Sequence, residues 1–121
     1  MAAAIEMEVM SLEGTLKARV TFPAAFAGFE GHFPGRAVLP GFCHIQAAVD
    51  LIDRARAGAV LAGVESAKFT RPILPGEEVL LEVVEAASMI YDATLSVAGE
   101  SCSRFRLQLR GPSQDEAGAV R

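Results

Sequence analysis

The sequence predicts an α+β domain in which several antiparallel strands surround one long helix. Apolar and polar residues alternate near both ends of the chain, which is typical of strands with one buried face. Between these runs, one segment carries apolar residues at spacings of three and four, as one face of a helix does. A single apolar helix beside several strands favours a curved sheet wrapped around that helix.

The first two strands are predicted over residues 5–12 and 15–22, where the alternation is partial. Glu13-Gly14 separates the two runs and indicates a hairpin. The following stretch, residues 23–40, contains three prolines and three glycines. Because these residues interrupt helices and central strands, the stretch is predicted to be a loop.

The helix is predicted from Gly41 to about Ala57, where the breakers stop. Its apolar face is wider than a narrow stripe, which indicates contacts on more than one side. Strand-like runs follow over residues 59–70, 77–97 and 100–110. The middle run is long enough for two strands broken near residues 86–88, or for one long bent strand.

The composition indicates a single domain. A chain of 121 residues that is 51% hydrophobic and 21% charged fits one compact unit with one modest core. Residues 1–110 are expected to form this unit. Residues 111–121 lack an apolar pattern and are expected to form a flexible tail.

Charge and cysteine usage argue against several classes of protein. With 11 Lys+Arg against 15 Asp+Glu, the net charge of -4 gives no general attraction to nucleic acid or an anionic membrane. No run approaches the roughly 18 apolar residues of a membrane span, so a cytoplasmic protein is expected. Cys43 and Cys102 lie far apart, and His32 and His44 are too few to complete a zinc site with them. A disulfide framework and a structural metal are therefore not expected.

Two motifs carry the information about chemistry. Residues 31–41 read GHFPGRAVLPG and run directly into the predicted helix, and residues 68–77 read KFTRPILPGE. The first resembles the HFPG-x-x-x-x-PG signature of the 3-hydroxyacyl-ACP dehydratases. The second resembles the KFxRPxxPGD segment of the same family, with Glu77 in place of Asp. Two motifs in the right order are far more specific than either one alone.

The resemblance covers residues 15–110 and implies the hot-dog fold, in which the sheet wraps around the helix. It implies dehydration of a 3-hydroxyacyl group to the trans-2-enoyl product, or the reverse hydration, as in fatty acid or polyketide-like biosynthesis. The substrate would be carried on the phosphopantetheine arm of an acyl carrier protein, and no cofactor or metal is implied. The resemblance also implies at least a homodimer, because members of the family build the site from two subunits.

His32 is the expected catalytic base. A lone histidine in a loop is usually a surface or turn residue, but the motif places this one in the family's catalytic position. Its imidazole titrates near working pH and can take a proton from carbon 2 of an acyl thioester. The resemblance implies that the Gly41 N–H, at the start of the helix, stabilises the negative charge that then develops on the thioester oxygen. Ordinary helix capping would also explain Pro40-Gly41.

Gln46 is a departure from the family, whose members carry a catalytic Glu or Asp at this position. Glutamine cannot act as an acid or base at neutral pH, although it can orient the departing hydroxyl. The family often has glutamine four residues later, where this chain has Asp50. The two positions are about 6 Å apart along a helix, so a solvated Asp50 is the favoured interpretation and a catalytic Asp50 the alternative.

The remaining residues near the motifs have simpler expected roles. His44 lies about 160° around the helix from Gln46, which favours packing or solvent contact. Cys43 is expected to be a small buried residue, although a helix N-terminus can lower a thiol pKa. The candidate substrate-binding residues are Phe33, Pro40 and Phe42, together with three cations suited to an acidic carrier or its phosphate, Arg36, Lys68 and Arg71.

Two other functions remain open from the sequence. A hot-dog thioesterase would direct water at the thioester carbonyl and would need an activating carboxylate, for which Asp50 and Glu30 are candidates. A binding protein would keep the acyl pocket but would have lost turnover together with its acid.

Overall fold

The computed structural model describes residues 5–24 and 38–111. Within these ranges it contains six strands and one α-helix. The expected flexible tail lies outside the described residues except for Gly111, so its character stays a prediction. The same holds for residues 25–37, which include most of the predicted loop.

The secondary structure follows the sequence prediction closely. The elements, in chain order, are β1 (Glu6–Ser11), β2 (Leu16–Thr21), α1 (Gly41–Ala55), β3 (Val60–Phe69), β4 (Glu78–Ala87), β5 (Ile90–Val97) and β6 (Glu100–Arg110). Of the two alternatives for the long run before residue 97, the structure has two strands. They are joined by a tight turn in which Met89 has a φ of 60°.

All six strands form one antiparallel sheet with the order β1-β2-β4-β5-β6-β3. Helix α1 packs across one face of this sheet, so the predicted α+β architecture is confirmed. Strand β3 lies at one edge, beside β6, and nine of its ten residues are exposed. An unpaired edge strand leaves backbone N–H and C=O groups free to pair with another strand.

The core lies between α1 and the inner face of the sheet. Alternate residues of the four central strands point into it, as the period of two in a strand requires. The helix contributes six buried side chains, Cys43, His44, Ala47, Ala48, Leu51 and Ile52. Small alanines at two of these positions allow the helix to approach the sheet closely.

Helix α1 ends two residues before the predicted Ala57. Arg56 leaves the helical conformation, with φ of -135° and ψ of 90°. Gly58 then has a φ of 85°, and its N–H donates to Asp53 Oδ1 at 2.7 Å. The glycine therefore reverses the chain in the left-handed region, which a residue with a Cβ enters less readily.

Among the described residues, no helix has the length and apolar character needed to cross a membrane.

Candidate active site

The N-terminus of α1 presents backbone N–H groups that no side chain of the described residues caps. Pro40 occupies the N-cap in an extended conformation, and the first turn of the helix has no acidic residue. The Cys43 N–H donates to the Pro40 carbonyl at 3.0 Å. The Gly41 N–H has no helical carbonyl four residues before it to bond, and it lies at the positive end of the helix dipole. This end of α1 therefore has the chemistry expected of an oxyanion site.

Glycine is required at position 41 for a reason that the sequence did not indicate. A Cβ built on Gly41 would lie 2.9 Å from Cζ of Phe69 and 3.1 Å from its Cε1. The Phe69 ring, at the end of β3, thus lies directly against the start of α1 and is 48% exposed. The small residue at position 41 therefore allows close approach of a phenyl ring.

His44 is a buried histidine of the helix core, as predicted by the packing interpretation. It is 2% exposed, and its Nδ1 lies 2.8 Å from Oγ of Ser103, which is itself buried. The edge of its ring meets Phe69, with ring centroids 5.1 Å apart at 85°. Desolvation by burial lowers the pKa of His44 to about 4, and a hydrogen bond with the Leu39 backbone partly opposes that shift. His44 is therefore neutral at physiological pH.

Cys43 is a buried thiol, 3% exposed. Burial raises its pKa, so the thiol stays protonated despite its position in the first turn of α1. This confirms the simple packing interpretation of Cys43. Cys102 is also buried, and both cysteines are free.

Gln46 and Asp50 lie on the side of α1 that faces away from the sheet. In the isolated chain Gln46 is exposed and Asp50 is half-buried, one turn apart. Phe42 lies one turn before Gln46 on the same side and is 68% exposed, while Pro40 is half-buried. This stripe of the helix is not covered by the chain's own sheet. The site roles predicted for Gln46, Phe42 and Pro40 stay predictions.

Four residues named in the sequence analysis lie outside the described residues: Glu30, His32, Phe33 and Arg36. Their roles as general base, substrate contacts and alternative activating carboxylate therefore depend on the sequence alone. Within the described ranges, no group of three or more His, Cys, Asp or Glu residues is arranged to hold a metal ion.

Arg71 forms hydrogen bonds with other residues of this chain, which changes the interpretation of the three predicted carrier-binding cations, Arg36, Lys68 and Arg71. Its guanidinium donates to both carboxylate oxygens of Glu77 at 2.8 Å, to the Pro72 carbonyl at 2.8 Å and to Glu100 at 3.3 Å. These hydrogen bonds raise the pKa of Arg71 and hold the pKa of the Glu77 carboxyl below its ordinary value. The donors of Arg71 are thus engaged, and Lys68 is the predicted carrier-binding cation that the structure leaves unpaired among the described residues.

Arg104 is a cation that the sequence analysis did not select. It lies directly opposite Lys68 in the β3–β6 ladder, and both side chains are exposed on the outer face of the sheet. Neither has an ion-pair partner among the described residues. Alternation along β6 placed Arg104 on the outer face from sequence alone, but its position beside Lys68 depends on a register that sequence does not show.

Comparison with known proteins decides the family. A family model described as ApeI-like, the ApeI dehydratase, matches residues 8–106, which include α1, strands β2 to β5 and most of β1 and β6. The chain belongs to the ApeI-like dehydratase family. The resemblance to 3-hydroxyacyl-ACP dehydratases expected from the two motifs is thereby confirmed at the level of the family.

Curated relatives of this ApeI-like chain are named 3-hydroxyacyl-[acyl-carrier-protein] dehydratase FabZ. The relative from Thermus thermophilus is 46% identical over 63 residues, 45% of this chain and 44% of its own length. The relative from Koribacter versatilis is 38% identical over 64 residues, 46% of this chain and 41% of its own length. The matched segments thus span less than half the length of these relatives.

Solved structures similar to this ApeI-like chain confirm the hot-dog fold. One is the dehydratase heterocomplex ApeI:P from Xenorhabdus doucetiae, with a TM-score of 0.73 and 19% identity over 90% of this chain and 96% of that one. Another is the phenylacetic acid degradation protein PaaI from Escherichia coli, with a TM-score of 0.63 and 17% identity over 86% of this chain and 82% of that one. At these identities the likeness concerns the fold.

Proposed function

We propose that this protein dehydrates a 3-hydroxyacyl thioester, carried on an acyl carrier protein, to the trans-2-enoyl product. The observation that carries the proposal is membership of the ApeI-like dehydratase family across residues 8–106. The uncapped start of α1 at Gly41 supports it, because an acyl thioester oxygen that gains negative charge needs free N–H donors.

The proposed reaction divides the work among three residues. His32 takes the proton from carbon 2, and the electron pair moves toward the thioester oxygen, where the Gly41 N–H stabilises it. The carbon–oxygen bond at carbon 3 then breaks as the carbon 2–carbon 3 double bond forms. The departing hydroxide receives the proton from His32 and leaves as water. Gln46 orients this hydroxyl and takes no part in proton transfer.

The proposed carrier-binding surface is the pair Lys68 and Arg104. Two like charges directly opposite each other in a sheet repel, and an anionic partner removes that repulsion. An acidic carrier, or the phosphate of its phosphopantetheine arm, supplies the required charge. Arg36 stays part of the proposed surface on the basis of the motif, whereas Arg71 is engaged by Glu77.

The proposed assembly is a homodimer. Edge strand β3 exposes Val60, Leu61 and Val64, each at 38–41% of its surface, and the rings of Phe42 and Phe69 are also exposed. A second copy pairing along β3 would cover these side chains and the unpaired backbone groups of the edge. Because the ApeI neighbour was solved as a heterocomplex, a related second chain is the alternative partner.

A thioesterase is the second candidate function, because a thioesterase from Pseudomonas aeruginosa shares the fold with a TM-score of 0.60. One experiment separates the candidates: incubation of the protein with 3-hydroxyacyl, trans-2-enoyl and unsubstituted acyl thioesters of one chain length. Interconversion of the first two supports the dehydratase. Release of free thiol from all three would instead identify a thioesterase. Binding with no chemical change would identify an acyl-binding protein.

A further inference from the structure

The loop between β3 and β4, residues 70–77, holds together three parts of the fold around the start of α1. The backbone N–H groups of Thr70 and Arg71 donate to the Cys102 carbonyl on β6 at 2.8 and 3.2 Å. The Leu39 N–H donates to the Ile73 carbonyl at 3.1 Å, just before α1 begins. At the other end of the loop, the Gly76 N–H donates to the Phe22 carbonyl beyond β2 at 2.9 Å.

A ring of side-chain contacts closes this loop on itself. Arg71 and Glu77 form a bidentate pair with two bonds of 2.8 Å, and Glu77 Oε1 also accepts the Leu74 N–H at 2.8 Å. Both side chains are only about a quarter exposed, at 25% and 23%. A bidentate pair fixes the relative orientation of its two planar groups as well as their distance. The ring therefore sets the shape of the loop between its two ends.

Ile73 connects this loop to the residues just before the helix. Its side chain is fully buried in the core, and its carbonyl binds Leu39, which is itself 3% exposed. Leu39 precedes Gly41 by two residues, with only Pro40 between them. Because the φ of Pro40 is fixed, a change in the position of Leu39 also changes the position of the Gly41 N–H.

The residue before the loop also contacts the start of α1. Phe69 lies against Gly41 and meets the ring of His44, and Thr70 then enters the loop. The start of α1 is thus held both through the Leu39 backbone and by the Phe69 ring. Both contacts originate in one segment, the KFTRPILPGE motif.

We propose that Arg71 and Glu77 are positioning residues of the dehydratase site, acting through Ile73 and Leu39 to place the Gly41 N–H. The proposal rests on the proposed function for the role of Gly41. It also accounts for the occurrence of both motifs in one chain, because the second motif holds the helix start with which the first one ends.

A positioning role of Arg71 and Glu77 predicts a lower kcat with little change in KM. The Gly41 N–H would meet its full charge only in the transition state, so misplacing it lowers kcat more than it raises KM. Displacement of a catalytic group by about 1 Å can cost about 100-fold in rate. A lower fraction of folded protein also lowers the apparent kcat at unchanged KM. The variants are therefore compared at equal folded concentration, and a second readout is taken from the folded protein itself.

The experiment compares Glu77→Gln with Asp92→Asn, using a short free 3-hydroxyacyl thioester. Asp92 and Arg106 form the matched control, an equally bidentate pair at 2.7 and 2.9 Å on the outer face of β5 and β6. Glu77→Gln is expected to lower kcat by 10- to 100-fold, on the order of the misplacement effect, with little change in KM. Asp92→Asn is expected to leave both unchanged, and Glu77→Asp, which restores the residue of the resembled family, to retain most of the rate.

A second readout keeps the proposal separate from the proposed function. In a ¹H–¹⁵N spectrum, Glu77→Gln is expected to shift the Gly41 amide resonance, and Asp92→Asn is expected to leave it in place. If Glu77→Gln does not fold, Arg71→Lys, which cannot make the bidentate contact, takes its place. An unmoved Gly41 resonance overturns the positioning role even if the protein is a dehydratase. A moved resonance in a protein without dehydratase activity supports the positioning role and refutes only the proposed function.

Discussion

By the resemblance of the first motif, Gln46 is predicted to stand at the helix position at which these dehydratases carry a carboxylate. If His32 makes both proton transfers, Gln46 contributes only orientation. We expect His32→Ala to remove nearly all turnover, since one general acid or base contributes about 10²- to 10⁴-fold. Gln46→Ala should cost less, and Gln46→Glu, of nearly the same shape, should retain or raise the rate of dehydration. Steady-state kinetics on a 3-hydroxyacyl thioester measure these changes.

Asp50 provides the control for this interpretation. It lies one turn beyond Gln46 and is half-buried. Asp50→Asn removes its charge and leaves its size, so a one-base mechanism predicts little effect on turnover. A loss as large as that of His32→Ala would make Asp50 the acid. An inactive starting protein that gains activity with Gln46→Glu would instead favour the acyl-binding alternative.

His44 makes the stability of the fold depend on pH. Burial lowers its pKa from 6.5 to about 4, so the unfolded chain takes up a proton at a higher pH than the folded chain. The contribution of His44 to the free energy of unfolding is therefore fully present above pH 6.5 and is lost as the pH falls toward 4. At 1.36 kcal/mol per pKa unit, this contribution is about 3 kcal/mol in total. Urea denaturation across this range is expected to show the loss.

The variant His44→Gln isolates this contribution. Carboxylates titrate in the same range, so the difference in pH dependence between the variant and the unaltered protein is the quantity to measure. We expect a shallower fall in unfolding free energy for His44→Gln, and no such change for His32→Ala. Identical curves for His44→Gln and the unaltered protein would show that His44 does not resist protonation.

At the scale of secondary-structure elements, the β3–β6 ladder brings together the cations proposed to meet the carrier. Arg104→Glu is expected to lower kcat/KM for carrier-bound substrate by about tenfold at low salt, and less at high salt. A short free thioester should be spared. Arg54→Glu, on the exposed last turn of α1, changes the net charge equally and serves as the control. Equal losses on both substrates would place Arg104 outside carrier binding.

The helix and the runs that contain the strands could be predicted from the sequence because their signals are local, although the division of residues 77–97 into β4 and β5 stayed open. The apolar spacing that begins at Gly41 and the alternation in β6 each depend on neighbouring residues only. The end of α1 was missed by two residues, since the Gly58 bond to Asp53 that closes it is not part of that periodicity.

Less of the candidate site could be predicted from the sequence, because its contacts join residues that are far apart in the chain. The bond between His44 and Ser103 spans 59 residues, and the pairing of Lys68 with Arg104 depends on strand register. The ion pair of Arg71 was not predicted for a different reason. Its partner Glu77 lies within the same motif, but only the folded loop shows that the two side chains face each other.

For the whole molecule, the proposed homodimer predicts that native mass spectrometry at micromolar concentration will find no substantial monomer. Val64→Glu, which places a charge on the exposed edge strand β3, is expected to shift the protein to monomer and to remove activity. Val84→Glu is the matched control, because Val84 is exposed to a similar degree, 47% against 40%, but lies on the interior strand β4. A monomeric and fully active starting protein would contradict a site shared between subunits.

The central claim is that this chain removes water from a 3-hydroxyacyl thioester with His32 as its base. The most direct measurement is the initial rate of trans-2-enoyl product formation on an acyl carrier protein, for the unaltered protein and for His32→Ala at equal folded concentration. We predict enoyl product from the unaltered protein and a rate at least about 100-fold lower from His32→Ala. Equal rates from the two proteins, or free thiol in place of enoyl product, would contradict the account.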